Sequence, residues 1–193
     1  LIPFFLAFEG RKPQARELVV LAVMCALAVA GRVAIPIPNF KAIFGIIMVA
    51  GIAFGPESGF LVGAISALAS NFFYSQGPYT PWQMMAYGAG GMLAGFVFAQ
   101  GRLPRKPVIM GIFGFLAVTF FVGPLLDTCS VFLVMSRITL KGAMAFYISG
   151  FPVNLRQAVA TAIVLLVLGK PLLEKLDRIK TKYGILDDGG KEA

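Results

Sequence analysis

Six apolar runs, separated by short turns of proline, glycine and charge, limit what this chain can fold into. A helix needs about 20 mostly apolar residues to cross a bilayer. The runs fall at residues 17–35, 42–54, 57–74, 81–99, 108–126 and 151–168, the second short and the fifth able to continue through Met135. Of all residues 58% are apolar and 13% charged, where a soluble domain has about 25% charged. The chain therefore reads as all-α, an integral membrane protein with six transmembrane helices.

The net charge of +8 comes from 17 basic and nine acidic residues. Arg11, Lys12 and Arg16 precede the first run, Arg102, Arg105 and Lys106 fill the central loop, and Lys170, Lys175, Arg178, Lys180, Lys182 and Lys191 follow the last run. If the spans alternate, these lie on one side. The positive-inside rule makes that side cytoplasmic, with both ends of the chain. The basic excess is thus topology, and with no basic stripe carrying interleaved aromatics it does not point to nucleic acid. Residues 36–41, 75–80 and the long segment 127–150 fall outside. Gly55, Pro56 and Glu57 and residues 101–107 fall inside, where Pro56 and Glu57 suit the first turn of a helix.

The residue inventory excludes most chemistry. There is no histidine, the commonest metal ligand and general base. Cys25 and Cys129 form no Cys-x-x-Cys pair, and Cys25 lies within a run, where a thiol more often packs as a small hydrophobe. No phosphate-binding loop, His-Glu-x-x-His or Gly-x-Ser-x-Gly occurs. Glu57 and Asp127 are the sole acids between Glu17 and Glu174, and alternation places them on opposite sides. We expect no catalytic residue, no metal site and no relay of buried acids.

The polar residues gather at the outer ends. The turn from Asn71 to Tyr87 holds Asn71, Gln76, Gln83, Ser75, Thr80, Tyr74, Tyr79, Phe72, Phe73 and Trp82, stiffened by Pro78 and Pro81. Amides and hydroxyls cost less to dehydrate than charges, and Tyr and Trp present an apolar ring with a wet tip. Such a cap suits a pocket for a large, partly polar, mostly uncharged molecule, and equally an aromatic belt on a stiff turn. Arg32, Asn39 and Lys41 flank the first two spans, Asp127 ends the fifth, and Asn154, Arg156 and Gln157 begin the sixth. Asp127 and Arg156 can pair near the outer boundary, or Arg32 and Arg156 can snorkel at the interface.

Three small-residue ladders remain. Ala22, Ala26 and Ala30 share one face of the first span, Gly55, Gly59, Gly63 and Ala67 lead along the third, and Gly91 and Gly95 lie on the fourth. Small side chains let helices approach closely in lipid. With two ladders available for internal packing, the alanine face serves either the chain's own helices or another protein.

The spans, the alanine face, the polar aromatic cap and the wording at residues 11–18, 28–32, 51–57 and 70–84 resemble the S components of energy-coupling factor (ECF) transporters, most of all the cobalamin-specific CbrT type. The resemblance covers residues 11 to about 168. It implies a vitamin-binding subunit of an ABC-type importer in a bacterial cell membrane, with cobalamin as transported substrate, or alternatively another vitamin or metabolite, and no cofactor held by this chain. Ala22, Ala26 and Ala30 would face the coupling protein EcfT, and two ATPase subunits with ATP and Mg would supply the power. The S component is thought to topple in the membrane, with residues 36–41 as a gate. Substrate-binding residues would be Asn39, Lys41, Asn71, Phe72, Tyr74, Gln76, Tyr79, Trp82, Gln83, Asp127 and Asn154. With no histidine, recognition would rest on shape, stacking and amide contacts; Cys25 is a conceivable cobalt ligand, but a buried Cys more often packs as a small hydrophobe. Residues 17–169 then form the substrate-binding domain. Residues 1–16 are a cytoplasmic or interfacial segment, whose first eight are too short to span and read as a surface helix or the tail of an upstream segment. Residues 170–193 are an amphipathic helix, with Leu172, Leu173, Leu176 and Ile179 at helical spacing, ending near Gly184 before a polar tail. A membrane enzyme on lipid-linked substrates would want clustered acids or histidine, and an assembly protein would leave the polar cap idle.

Overall fold

The computed structural model describes residues 9–10 and 14–184. The expectations for the first eight residues and for the tail beyond Gly184 lie outside them. Six long helices follow one another: α1 (Ala15–Val33), α2 (Ile43–Phe54), α3 (Pro56–Tyr74), α4 (Thr80–Ala94, continued by a π-helical turn over Gly95–Ala99), α5 (Pro107–Val134) and α6 (Leu140–Tyr183). The last two also change to π-helical hydrogen bonding within their length, at Val118–Val122 and Leu165–Gly169. No strand occurs among the described residues.

Proline and glycine punctuate the helices. Pro56, Pro81 and Pro107 sit in first turns, where a missing N–H costs nothing, while Pro124 lies inside α5 just after its π-helical turn. Gly55 joins α2 to α3 with φ of 94°, a conformation that any Cβ would strain. Gly184 ends α6 in the left-handed region.

The long outer segment expected at 127–150 is corrected. α5 runs on to Val134 and α6 begins at Leu140, so only residues 135–139 form a loop. The surface helix expected from Lys170 is the continuation of α6 rather than a separate element. Leu173 and Leu176 bury its apolar side beneath the bundle, and Lys180 Nζ donates to the Ala53 carbonyl at 2.6 Å, satisfying a group at the end of α2.

α2 is the hub. All its 12 residues are buried, which suits a helix apolar on every side. Around it, α3 and α4 form the most extensive pairing, and glycine makes it possible. A Cβ on Gly51, Gly59 or Gly91 would meet backbone of a neighbouring helix, as would one on Gly63 or Gly95. The two glycine ladders are therefore internal.

The outside of the bundle is apolar. Leu18, Val23, Ile65, Phe72, Phe96, Ile112, Phe120 and Leu166 are all exposed. In water such a surface would associate, and in lipid it costs nothing. By length and composition α5 and α6 can cross a bilayer, while α2 is apolar but short. The other three fall below that measure because α1 carries Arg16, Glu17 and Arg32, α3 carries Glu57, three serines and Asn71, and α4 combines glycine with its polar start. One end of the bundle holds the loops at 34–42, 75–79 and 135–139, here called the aromatic end. The opposite, basic end holds Arg102, Arg105, Lys106 and the C-terminal third of α6.

Candidate binding site

Two polar clusters occupy the aromatic end. The first ties α1 to α3 and α4. Arg32, in the last turn of α1, donates to Ser70 Oγ and, at 2.9 Å, to Asn71 Oδ1. Its guanidinium lies 4.8 and 5.6 Å from the ring centres of Tyr74 and Tyr87, and the Tyr74 hydroxyl donates to the Arg32 carbonyl at 2.9 Å. The cation is held by ring faces and neutral acceptors. Asn71, only 1% exposed, donates to Gln83 Oε1 at 2.8 Å and to Thr80 Oγ1 at 3.3 Å. Lys41 Nζ donates to the Ile35 carbonyl, and the Lys41 carbonyl accepts from Gln157 Nε2 at 2.7 Å, joining the 34–42 loop to α6.

The second cluster joins α5 to α6. Asn154 Nδ2 donates to Asp127 Oδ2 at 2.7 Å. Glycine opposite each side chain makes the room, since a Cβ on Gly123 would strike the Asn154 amide and one on Gly150 the Asp127 carboxylate. Pro152, inside α6, removes one ladder hydrogen bond two residues before Asn154. The Asp127–Arg156 pair is not formed. Arg156 is exposed, and Asp127 is turned across the helix pair to Asn154.

Between the clusters lies a cavity of about 400 Å³, lined by Tyr79 and Gln83 from the start of α4, by Leu126, Asp127, Cys129, Ser130, Leu133 and Val134 from α5, and by Val153 and Asn154 from α6. Tyr79 is held by its hydroxyl, which donates to the Ser75 carbonyl at 2.8 Å. The wall is mostly apolar, with two amides, one carboxylate and one aromatic ring converging on it. That pattern recognises a mid-sized organic molecule by shape and a few hydrogen bonds. Among the described residues no group of three His, Cys, Asp or Glu side chains could hold a metal ion.

The expected site residues thus separate. Tyr79, Gln83, Asp127 and Asn154 line the cavity. Asn71 stands directly behind Gln83. Trp82 faces away, into a second, apolar cavity of about 440 Å³ with Pro81, Met85, Ala86 and Leu125. Its Nε1 donates to the Leu125 carbonyl at 2.6 Å, which ties α4 to α5. Trp82→Phe should lower stability by about 1 kcal/mol, readable as a fall in melting temperature with the fold intact. Gln76 folds back onto the Leu68 carbonyl, Tyr74 covers Arg32, and Lys41 braces its own loop. Asn39 is exposed in a turn at φ of 57°, and Phe72, 76% exposed, points out of the bundle. From the region 127–154, which the resemblance implies would line the pocket, only Asp127 and Asn154 are among the expected site residues; Leu126, Cys129, Ser130, Leu133, Val134 and Val153 join them in the wall. Cys25 lies away from this cavity. Its Sγ lies 3.8 Å from the Val62 carbonyl, and it borders a groove on the alanine face.

On that face Ala22, Ala26 and Ala30 are exposed, while Leu21, Met24, Cys25 and Ala28 turn inward. The chain's own helices do not cover the alanines.

A family model, described as "ECF-type riboflavin transporter, S component", matches residues 12–174. The chain belongs to this family. No curated protein and no solved structure matches it. S components are non-enzymatic, membrane-embedded, substrate-binding subunits of ECF transporters, which fits a helical bundle with an open cavity. The family description names riboflavin where the wording of the segments resembles the cobalamin-specific type.

Proposed function

We propose that this chain is the substrate-binding membrane subunit of an ATP-driven ECF-type vitamin importer, with the cavity at the aromatic end as its binding site and riboflavin as the first substrate to test. The observation that carries this is the family match over residues 12–174. The basic end lies in the cytoplasm by the positive-inside rule, so the cavity opens to the outside. Ala22, Ala26 and Ala30 face an EcfT-type coupling protein, and two ATPase subunits bind ATP and Mg. The cavity of about 400 Å³, with an aromatic ring at one wall and aliphatic side chains at the other, suits a flat ring system with polar edges.

Cobalamin is the second reading. The wording of residues 51–57 and 70–84 favours it, as does the further cavity of about 440 Å³ behind Trp82, since a corrinoid needs more room than a flavin.

Isothermal titration of the detergent-solubilised chain with riboflavin, cobalamin and pantothenate tests both. Riboflavin is expected to bind, and Tyr79→Ala to weaken it about tenfold through lost stacking. Binding of cobalamin alone moves the assignment to the second reading. Binding of neither by a folded protein removes both vitamins.

A further inference from the structure

Gln83 lines the cavity, yet its amide is not free to turn. A guanidinium has only N–H donors. Arg32 therefore fixes which end of the Asn71 amide faces it: Oδ1 accepts from Arg32 at 2.9 Å. Asn71 Nδ2 is left to point the other way, donating to Thr80 Oγ1 at 3.3 Å and to Gln83 Oε1 at 2.8 Å. The Thr80 hydroxyl supports this sense, because its own proton goes to Gln76 Oε1 at 2.9 Å, leaving its lone pairs to accept. Gln83 Oε1 is thus turned toward Asn71, and its Nε2 donates to no protein group among the described residues.

We infer that Arg32, acting through Asn71, sets the polarity of the binding site, so that Gln83 offers hydrogen-bond donors to the cavity and selects a ligand edge bearing an acceptor, a carbonyl or ring nitrogen. This deepens the vitamin-binding reading and rests on it for the ligand. Arg32 and Asn71 are positioning residues, and Gln83 makes the contact. Across the cavity the lining holds the Asp127 carboxylate, which can only accept when ionised, and the Asn154 amide, whose Nδ2 donates to Asp127, so that wall suits a donor edge of the same molecule. Arg32 is well placed to hold this sense, since it is half-buried, stacked on Tyr74 and Tyr87, and bonded to two residues of α3.

Side-chain amide hydrogen exchange on the ¹⁵N-labelled chain reads the orientation without any ligand. The Gln83 NH₂ signal, assigned by its loss in Gln83→Met, should exchange fast, and the buried Asn71 NH₂ slowly. In Asn71→Asp the carboxylate keeps its bond to Arg32 but accepts only, so the Gln83 amide should turn its NH₂ inward and its exchange should slow at least tenfold. A merely structural role for Asn71 predicts no such slowing. Riboflavin and cobalamin are then titrated into the wild type, Gln83→Glu and Asn71→Asp. For whichever vitamin binds the wild type, both variants should lose tenfold or more in affinity. A Gln83 amide already protected in the wild type, no slowing in Asn71→Asp, or unchanged affinity in Gln83→Glu would overturn the inference. If neither vitamin binds, the vitamin reading fails, while the exchange rates still decide the orientation.

Discussion

A single methyl group added at Gly91 is expected to unfold the bundle or leave it barely folded. Gly51, Gly59 and Gly91 bring α2, α3 and α4 together at one point, where a Cβ on Gly91 would strike the Gly59 carbonyl group and lie 2.8 Å from Ile47 Cγ2. Backbone cannot swing aside as the end of a side chain can, so the helices themselves must part. Parting them uncovers α2, all of whose residues are buried. Overpacking costs about 1–3 kcal/mol where side chains can yield, and a clash with backbone belongs at or beyond the top of that range. Gly91→Ala should lower the melting temperature by roughly 10 °C or abolish the monodisperse peak in size-exclusion chromatography. Gly90→Ala is the control. There the new Cβ meets only Val122 Cγ2, at 3.0 Å, and the change should be small. Equal effects at Gly90 and Gly91 would show that the crossing does not depend on backbone contact.

The second large effect concerns assembly. Ala26 is exposed, and the shallow groove beside it, lined by Cys25, Val29, Ala30, Val33, Ala69 and Phe73, has a volume of about 500 Å³. If a coupling helix lies along Ala22, Ala26 and Ala30, an indole at Ala26 occupies the space that helix needs. Ala26→Trp should leave the fold and vitamin binding unchanged and reduce co-purification with the coupling protein and ATPases more than tenfold. Unchanged co-purification would sink the assignment of this face. The contrast with Gly91 is informative, because both are small residues on helical ladders, yet one is small for the chain's own sake and the other is not.

That contrast marks where the sequence could be read and where it could not. The helices were legible, because apolar runs broken by Pro and Gly leave few alternatives. The glycine ladders of Gly59 and Gly91 were legible as faces available for internal packing, because small residues at four-residue spacing let helices approach closely. What the alanine face meets was open from spacing alone, and burial decided against the chain's own helices. Tyr79, Gln83, Asp127 and Asn154 could be chosen by residue type, but not their convergence, since nothing local brings residue 79 near residue 154. Asn71 shows the opposite limit. An asparagine that serves the ligand and one that serves an arginine are identical in sequence, and only the bond to Arg32 separates them. That the fifth run could continue through Met135 was legible, but which of Leu126 to Val134 face the cavity was not, because Asp127, Arg137 and Lys141 dilute the apolar signal of a helical hairpin into what looks like a loop.

The burial of α2 has a consequence for how cargo can travel. A helix whose every residue is covered fills the middle of the bundle, while the cavity sits to one side at the aromatic end. The chain is a cup and not a pipe. If a substrate rests against Gln83 and Asn154 as proposed, the covered α2 leaves it no straight passage along the middle of the bundle to the basic end.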